Sequence, residues 1–157
     1  MSEGLGVSSP RGRSTGPSGE VDYVLLYELM SAQYVEMERD MASCNVAFNQ
    51  GDAKTMVECF DPEIVLYTPH GEFRGRTEVM GYLTERYFKY APKLRYEMKT
   101  HDVRSFGDAL WYSYDYEIST PNESIAGHGM SMCRKDSAGR WRILNMHNSL
   151  RERSGEK

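Results

Sequence analysis

Between Val21 and Gln50 the apolar positions Leu26, Met30, Tyr34, Met37, Met41, Cys44 and Phe48 recur at intervals of three and four. That is the spacing of one buried helical face, and no proline interrupts it. Gly51 can take the left-handed backbone that closes a helix, and Asp52 can cap another, so a short second helix is expected over residues 53–60. Ile64, Leu66 and Thr68 then alternate in strand fashion up to Pro69, which cannot donate to a ladder and marks the strand's end. A minimal strand over 72–74 leads to Thr77, placed to cap a third helix through residue 90 with Val79, Leu83 and Tyr87 on one side. Beyond Pro92 the period changes to two. Runs 94–104, 109–119, 124–134 and 140–150 read as strands, separated by Gly107-Asp108, Pro121-Asn122 and the Ser137-Ala138-Gly139 turn. Connections this short favour antiparallel neighbours.

This order of elements predicts an α+β fold in which a curved antiparallel sheet wraps around helices to form a cone with a central pocket. Residues 1–20 take twelve of their twenty positions from Gly, Ser and Pro. Such a segment cannot offset its ordering entropy, so a disordered tail is expected there, a single domain over 21–150 and a short tail over 151–157.

Charge narrows the choice of partner. With 19 Lys and Arg against 23 Asp and Glu, the chain offers no electrostatic case for nucleic acid or an anionic membrane, and a small-molecule partner is expected. No apolar run approaches the roughly 20 residues that span a bilayer, and the N-terminus lacks the apolar core of a secretion signal, so a cytoplasmic location is expected. Cys44, Cys59 and Cys133 are odd in number and widely spaced, which predicts reduced thiols. His70, His101, His128 and His147 lack helical ligand spacing, so no metal is expected. Gly4-Leu5-Gly6 lacks the strand, third glycine and helix of a dinucleotide site, and no cofactor is expected.

The stretch FNQGDAKTMVECFDPEIVLYTPHGEFRGR and the closing KDSAGRWRILNMHNSL resemble the nuclear transport factor two-like superfamily, especially its SnoaL-like branch. The closing segment is also similar to the association domain of calcium/calmodulin-dependent kinase II, with Trp141, Asn145, His147 and Ser149 where that domain has Trp, His, His and Ser. The resemblance covers residues 34–150 and implies a cone-shaped, cystatin-like α+β barrel that pairs into homodimers through its outer sheet face. It does not choose a reaction, since the superfamily holds isomerases, dehydratases, cyclases and pure assembly modules. A steroid-isomerase mechanism is excluded by residue matching, which places Cys44, Thr68 and Ser131 where that enzyme has its tyrosine, its base and its second acid.

Strand alternation splits residues 110–117 into Leu110, Tyr112, Tyr114 and Tyr116 on one face and Trp111, Ser113, Asp115 and Glu117 on the other. The kinase-domain resemblance puts the tyrosines inside, giving aromatic walls and a row of hydroxyl donors. Alternating tyrosine is also ordinary in any half-buried strand. His70, just past Pro69 at the cone's mouth, and His128, between Gly127 and Gly129, are the candidate acid or base, with Tyr114 or Tyr116 donating to a developing oxyanion. The direction of His128 depends on a hairpin length: one alignment puts His128, Met130 and Met132 inside, the other Ser131. Cys44, Leu66, Thr68, Tyr112, Met130 and Asn148 complete the expected substrate wall, while His147 is expected to point outward and His101 to be solvent-exposed.

The function expected from this set is a cofactor-independent isomerase, cyclase or dehydratase (a lyase) acting on a hydrophobic oxygenated metabolite of polyketide or terpenoid type. The alternative is a binding or homo-oligomerisation module using the same cone without chemistry.

Overall fold

The computed structural model describes residues 22–155. The tail expected over residues 1–20, and the side chains of Leu26 and Met30, lie outside the described residues. Helix α1 (Tyr23–Gln50) is capped by Asp22, whose carboxylate accepts the Leu25 amide at 3.0 Å. Gly51, at φ 64°, closes it, and a Cβ there would meet the Phe88 carbonyl and the Ala91 side chain at 3.0 and 2.9 Å. Both the left-handed backbone and the crowding require glycine. Met37, Met41, Cys44, Ala47 and Phe48 are buried along one face of α1.

Asp52 caps α2 (Ala53–Val57) through the Thr55 amide at 3.1 Å and the Thr55 hydroxyl at 2.6 Å. This helix stops short of the expected residue 60. Phe60 already begins β1 (Phe60–Thr68), because it pairs with Ile143 while the Ile143 amide donates to the Cys59 carbonyl at 2.9 Å. Strand β2 (Gly71–Arg74) leads into α3 (Gly75–Arg86), which starts before the expected Thr77 cap. Glu78 reaches back to accept the Arg74 amide at 2.7 Å, so a carboxylate in the first turn does the work of a cap. A 3-10 turn (Phe88–Tyr90) precedes β3 (Arg95–Phe106), β4 (Ala109–Ser119), β5 (Glu123–Lys135) and β6 (Trp141–Gly155). Strand β6 runs past Leu150 and pairs with β5 as far as Gly155 opposite Glu123.

The class is α+β, with the six strands in a curved, unclosed sheet of order β2-β1-β6-β5-β4-β3. All pairs are antiparallel except β1 with β6, which is parallel. The short-connection argument does not reach that pair, since everything from β2 to β5 lies between its two strands. Helices α1 and α3 cover one face, and the core lies between them and the inward side chains Ile64, Leu66, Leu110, Tyr112, Tyr114, Ile125, Trp141 and Ile143. A register shift on the β5–β6 ladder between Met132 and Cys133 re-aims β6, so that Met146 and Asn148 face inward after Ile143 while His147 faces out.

One expectation is overturned in this frame. Cys44 and Cys59 are not reduced thiols: they form a disulfide, with Cα atoms 6.0 Å apart, between α1 and the start of β1. The turn at Gly51 folds α2 back along α1 and brings them together, a proximity that 15 residues of spacing do not reveal. Cys133 is a free buried thiol, pushed up to about 12 by burial.

Candidate functional site

A cavity opens between α1, α3 and the concave face of the sheet. It leaves about 70 Å³ for the centres of water-sized spheres, where one water needs only about 10–15 Å³. There is room for several waters or for part of a small ligand. Its walls are apolar: Met41, Phe48, Met56 and Leu83 from the helices, and Phe60, Leu66, Met98, Ile118, Ile125, Ile143 and Met146 from the sheet. Polar atoms are few. Asn45 comes from α1, Asn148 and Thr68 from strands, and Tyr82, Tyr87, Tyr96, Tyr112 and Tyr116 are the other lining residues with a polar group. Among the described residues no Asp, Glu or His lines it. Asn49 fixes Tyr96 in place by accepting its amide at 2.5 Å and donating to its carbonyl at 3.2 Å.

Of the expected wall, Cys44, Leu66, Thr68, Tyr112, Tyr116 and Asn148 do face the cavity. Cys44 does so as half of the disulfide. Thr68 has its hydroxyl in the β1–β2 turn, donating to the Gly71 carbonyl at 3.2 Å and accepting the His70 amide at 3.0 Å. The tyrosine row points inward, yet its hydroxyls are committed. Tyr116 donates to the Ser149 carbonyl at 2.9 Å, and Tyr114, which does not reach the cavity surface, donates to Asn148 Oδ1. That bond orients the Asn148 amide and leaves its N–H groups as the donors. Burial raises every phenol acidity constant in this group, Tyr116 to about 12 and Tyr112 and Tyr114 well above their ordinary value. These phenols stay protonated, so they are donors and not bases.

His70 lies outside the cavity but is linked to it. Its Nδ1 is 2.9 Å from the Tyr82 hydroxyl, and Tyr82 lines both the cavity and a shallow external groove shared with His70, Arg86 and Glu123. Phe73 stacks on Tyr82 at 4.2 Å between ring centroids, and Tyr87 meets it edge-on at 5.9 Å, so the phenol is held from three sides. Burial, then the Arg86 charge, lowers the His70 imidazole below its usual value. At neutral pH it is therefore uncharged, and the tautomer that accepts the Tyr82 proton at Nδ1 carries its own proton on Nε2. Tyr87 beneath is pushed up by burial and by the Tyr82 hydroxyl.

A family model described as the SnoaL-like domain matches residues 41–151. The chain belongs to that SnoaL-like family. No curated protein sequence matches it. Among solved structures, a Novosphingobium aromaticivorans protein provisionally assigned as a scytalone dehydratase is similar in fold, with TM-score 0.73 and 10% identity over 83% of this chain and 92% of that one. A ketosteroid isomerase-like protein from Erwinia carotovora atroseptica gives 0.61 and 15% over 75% and 95%. A nuclear transport factor two-like protein from Shewanella oneidensis gives 0.65 and 13% over 74% and 98%. These likenesses show the SnoaL-like, nuclear transport factor two-like fold and nothing of the reaction.

Two expected site residues of this SnoaL-like domain lie elsewhere. His128 and Met130 project from the outer face of the sheet, away from the cavity, because Gly127, Gly129 and Ser131 take the inward parity of β5. There His128 Nδ1 and His101 Nε2 both contact the Asp115 carboxylate, the latter at 2.8 Å. His101 thus has a partner as well as exposure. These contacts lower Asp115, with His101 the largest cause. Among the described residues no three His, Cys, Asp or Glu side chains are grouped to hold a metal ion. No helix among them is long and apolar enough to cross a membrane.

Sequence reasoning missed Tyr82, Tyr87, Tyr96 and Asn45. The signal for Asn45 was present: it follows the inward Cys44 by one position and Met41 by four on a helix whose inner face was already traced. Tyr82 gave no such signal, since its importance lies in a contact with the β1–β2 turn.

Proposed function

We propose that this SnoaL-like domain is a cofactor-independent isomerase, cyclase or dehydratase acting on a hydrophobic, oxygenated small molecule of polyketide or terpenoid type, with Tyr82 and His70 as its acid–base pair. The bond between the Tyr82 hydroxyl and His70 Nδ1 carries this reading. Through it a proton leaves an apolar chamber without a charged group entering. Tyr82 oxygen takes a proton from the carbon next to a substrate carbonyl as its own hydroxyl proton passes to His70 Nδ1, and the imidazolium then returns that proton through Tyr82 to another carbon of the enolate, so that one C–H bond breaks, another forms and the pair is restored. The Asn148 amide, oriented by Tyr114, donates to the enolate oxygen that forms. In this scheme Tyr114 is a positioning residue and His128 has no part.

The test is native mass spectrometry of the purified protein, identification of any released compound, and turnover of that compound by wild type, His70→Gln and Tyr82→Phe. Each variant is expected to lose about 10²-fold or more in kcat. Unchanged turnover in both sinks the proposal.

A second reading is favoured by one observation: among the described residues no carboxylate or imidazole side chain lines the cavity. A binding module predicts a ligand recovered unchanged after prolonged incubation. In either case the partner we propose is a second copy of the chain, docked on the outer sheet face where Met130 stands 46% exposed beside half-buried Trp111 and Met132.

A further inference from the structure

The groove outside the cavity is chemically unlike the cavity itself. Arg86 lines it from the end of α3, Lys89 from the 3-10 turn that follows, and Glu123 from the start of β5. Glu123 is only 12% exposed at its side chain and is shared by two cations: Arg86 Nη2 at 2.7 Å from one oxygen and Arg153 Nη2 at 2.7 Å from the other. One carboxylate thus balances one of two guanidinium groups. Glu85, also on the groove, is exposed, as is Lys89. The sum is three cations, Arg86, Lys89 and Arg153, against two carboxylates, Glu85 and Glu123. The excess positive charge stands beside His70, whose imidazole is depressed first by burial and then by the Arg86 and Arg153 charges, while Glu123 acts in the opposite sense. Among the described residues Arg86 Nε is a buried donor with no hydrogen-bond partner. Such a donor carries a standing desolvation cost that an anion, or a water it orders, would relieve.

Tyr82 stands between this groove and the apolar chamber, since it lines both. We propose that the ligand is an amphipathic carboxylate, with an apolar ring in the cavity and a carboxylate tethered past Tyr82 into the groove beside Arg86. This rests on the reading of the cavity as a ligand site. It adds a substrate class, a ring-bearing carboxylic acid, and a specificity element, the Arg86 end of α3. The guanidinium fork suits a carboxylate in geometry as well as charge. In the tautomer whose Nδ1 accepts from Tyr82, His70, on the same groove, carries its proton on Nε2 and has a second donor for the same anion.

The experiment is calorimetric titration of the full chain with 3-(2-naphthyl)propanoate and, separately, with its neutral primary amide, at pH 7.5 in low salt and in 0.5 M sodium chloride. The carboxylate is expected to bind at least tenfold more tightly than the amide in low salt, with the advantage falling several-fold in high salt. Arg86→Gln is expected to bring the two ligands within twofold of each other. Because Arg86 also holds Glu123, Lys89→Glu serves as a second variant at an exposed position. It should weaken the carboxylate several-fold and leave the amide unchanged. Equal binding of carboxylate and amide to the wild type overturns the anionic mouth and leaves the cavity reading intact. A preference that both variants retain overturns it as well. Binding of neither ligand overturns the cavity reading and this inference with it.

Discussion

Tyr114 lies directly over Gly129. The two are paired across β4 and β5, and a Cβ at position 129 would stand 2.3 Å from the Tyr114 ring. The next pair repeats the arrangement: Tyr116 faces Gly127, where a Cβ would come within 1.8 Å of the Ser149 carbonyl and 2.8 Å of the Tyr116 hydroxyl. The rings occupy the space that two side chains would otherwise take. Gly129→Ala should therefore displace Tyr114, release Asn148 and cost about 1–3 kcal/mol as overpacking. Thermal unfolding checks it, and a Tm within 1 °C of wild type would mean that the ring moves aside freely.

The same pairing marks where the sequence was legible and where it was not. The period of two placed Tyr112, Tyr114 and Tyr116 on one face, which is the buried one. It could not place His128, because the alternation on β5 is equally good in either phase, and the phase depends on the Pro121-Asn122 connection. Tyrosines set opposite glycines were the missing clue, since large rings need an empty position across the ladder. The cap residues Asp52 and Gly51 were legible because their effects are local. Tyr82 and the Cys44–Cys59 bridge were not, because each depends on how one helix meets a distant turn.

His70 has a pH signature. Burial, then the Arg86 charge, depresses its imidazole, so the neutral, proton-accepting form persists below the ordinary histidine value of about 6.5. If it is the base, the acid limb of kcat/KM should lie below that value, and Arg86→Gln should move it upward by removing the second cause. An acid limb unmoved by Arg86→Gln would separate the titration from His70.

The disulfide joins residues 15 apart, Cys44 on a cavity-lining helix and Cys59 at the start of β1. Closing a loop of that length constrains the unfolded chain by about 3 kcal/mol. Cys59→Ser, or reduction with dithiothreitol, should lower the unfolding midpoint accordingly and loosen the cavity wall at Cys44. Equal midpoints with and without reductant would mean that the bridge adds no stability.

If the outer face pairs two copies, a charge at its centre should separate them. Met130 stands 46% exposed in the middle of that face, opposite His147 on β6 and Ser113 on β4. Met130→Asp should leave folding intact, because the side chain packs against nothing inside, and should shift sedimentation from dimer to monomer at micromolar concentration. A wild type that sediments as a monomer removes the interface altogether.

Asp61 offers the sharpest test of electrostatics in the fold. Its carboxylate is 6% exposed and receives Arg134 through two bonds, at 2.8 and 3.0 Å, and the Glu63 amide at 2.9 Å. Burial pushes its acidity constant up, but the guanidinium and the amide together outweigh burial and hold it below its ordinary value. The folded value is thus below the unfolded one of about 3.9, so the stabilisation is complete above that pH and is lost as pH falls through the folded value. Arg134→Met reverses the sign. The carboxylate keeps its burial and loses its cation, so its constant rises above the unfolded value, and folding is penalised wherever the group must ionise. The variant should lose about 2 kcal/mol near pH 7, a charged hydrogen-bonded pair with one half-exposed partner. That deficit should shrink as pH is lowered from 7 to 4, because protonation relieves the unpaired carboxylate in the variant while the wild-type pair still holds. Urea unfolding at a series of pH values measures both curves, and a deficit that stays constant over this range would show that Arg134 acts by packing its stem and not by its charge.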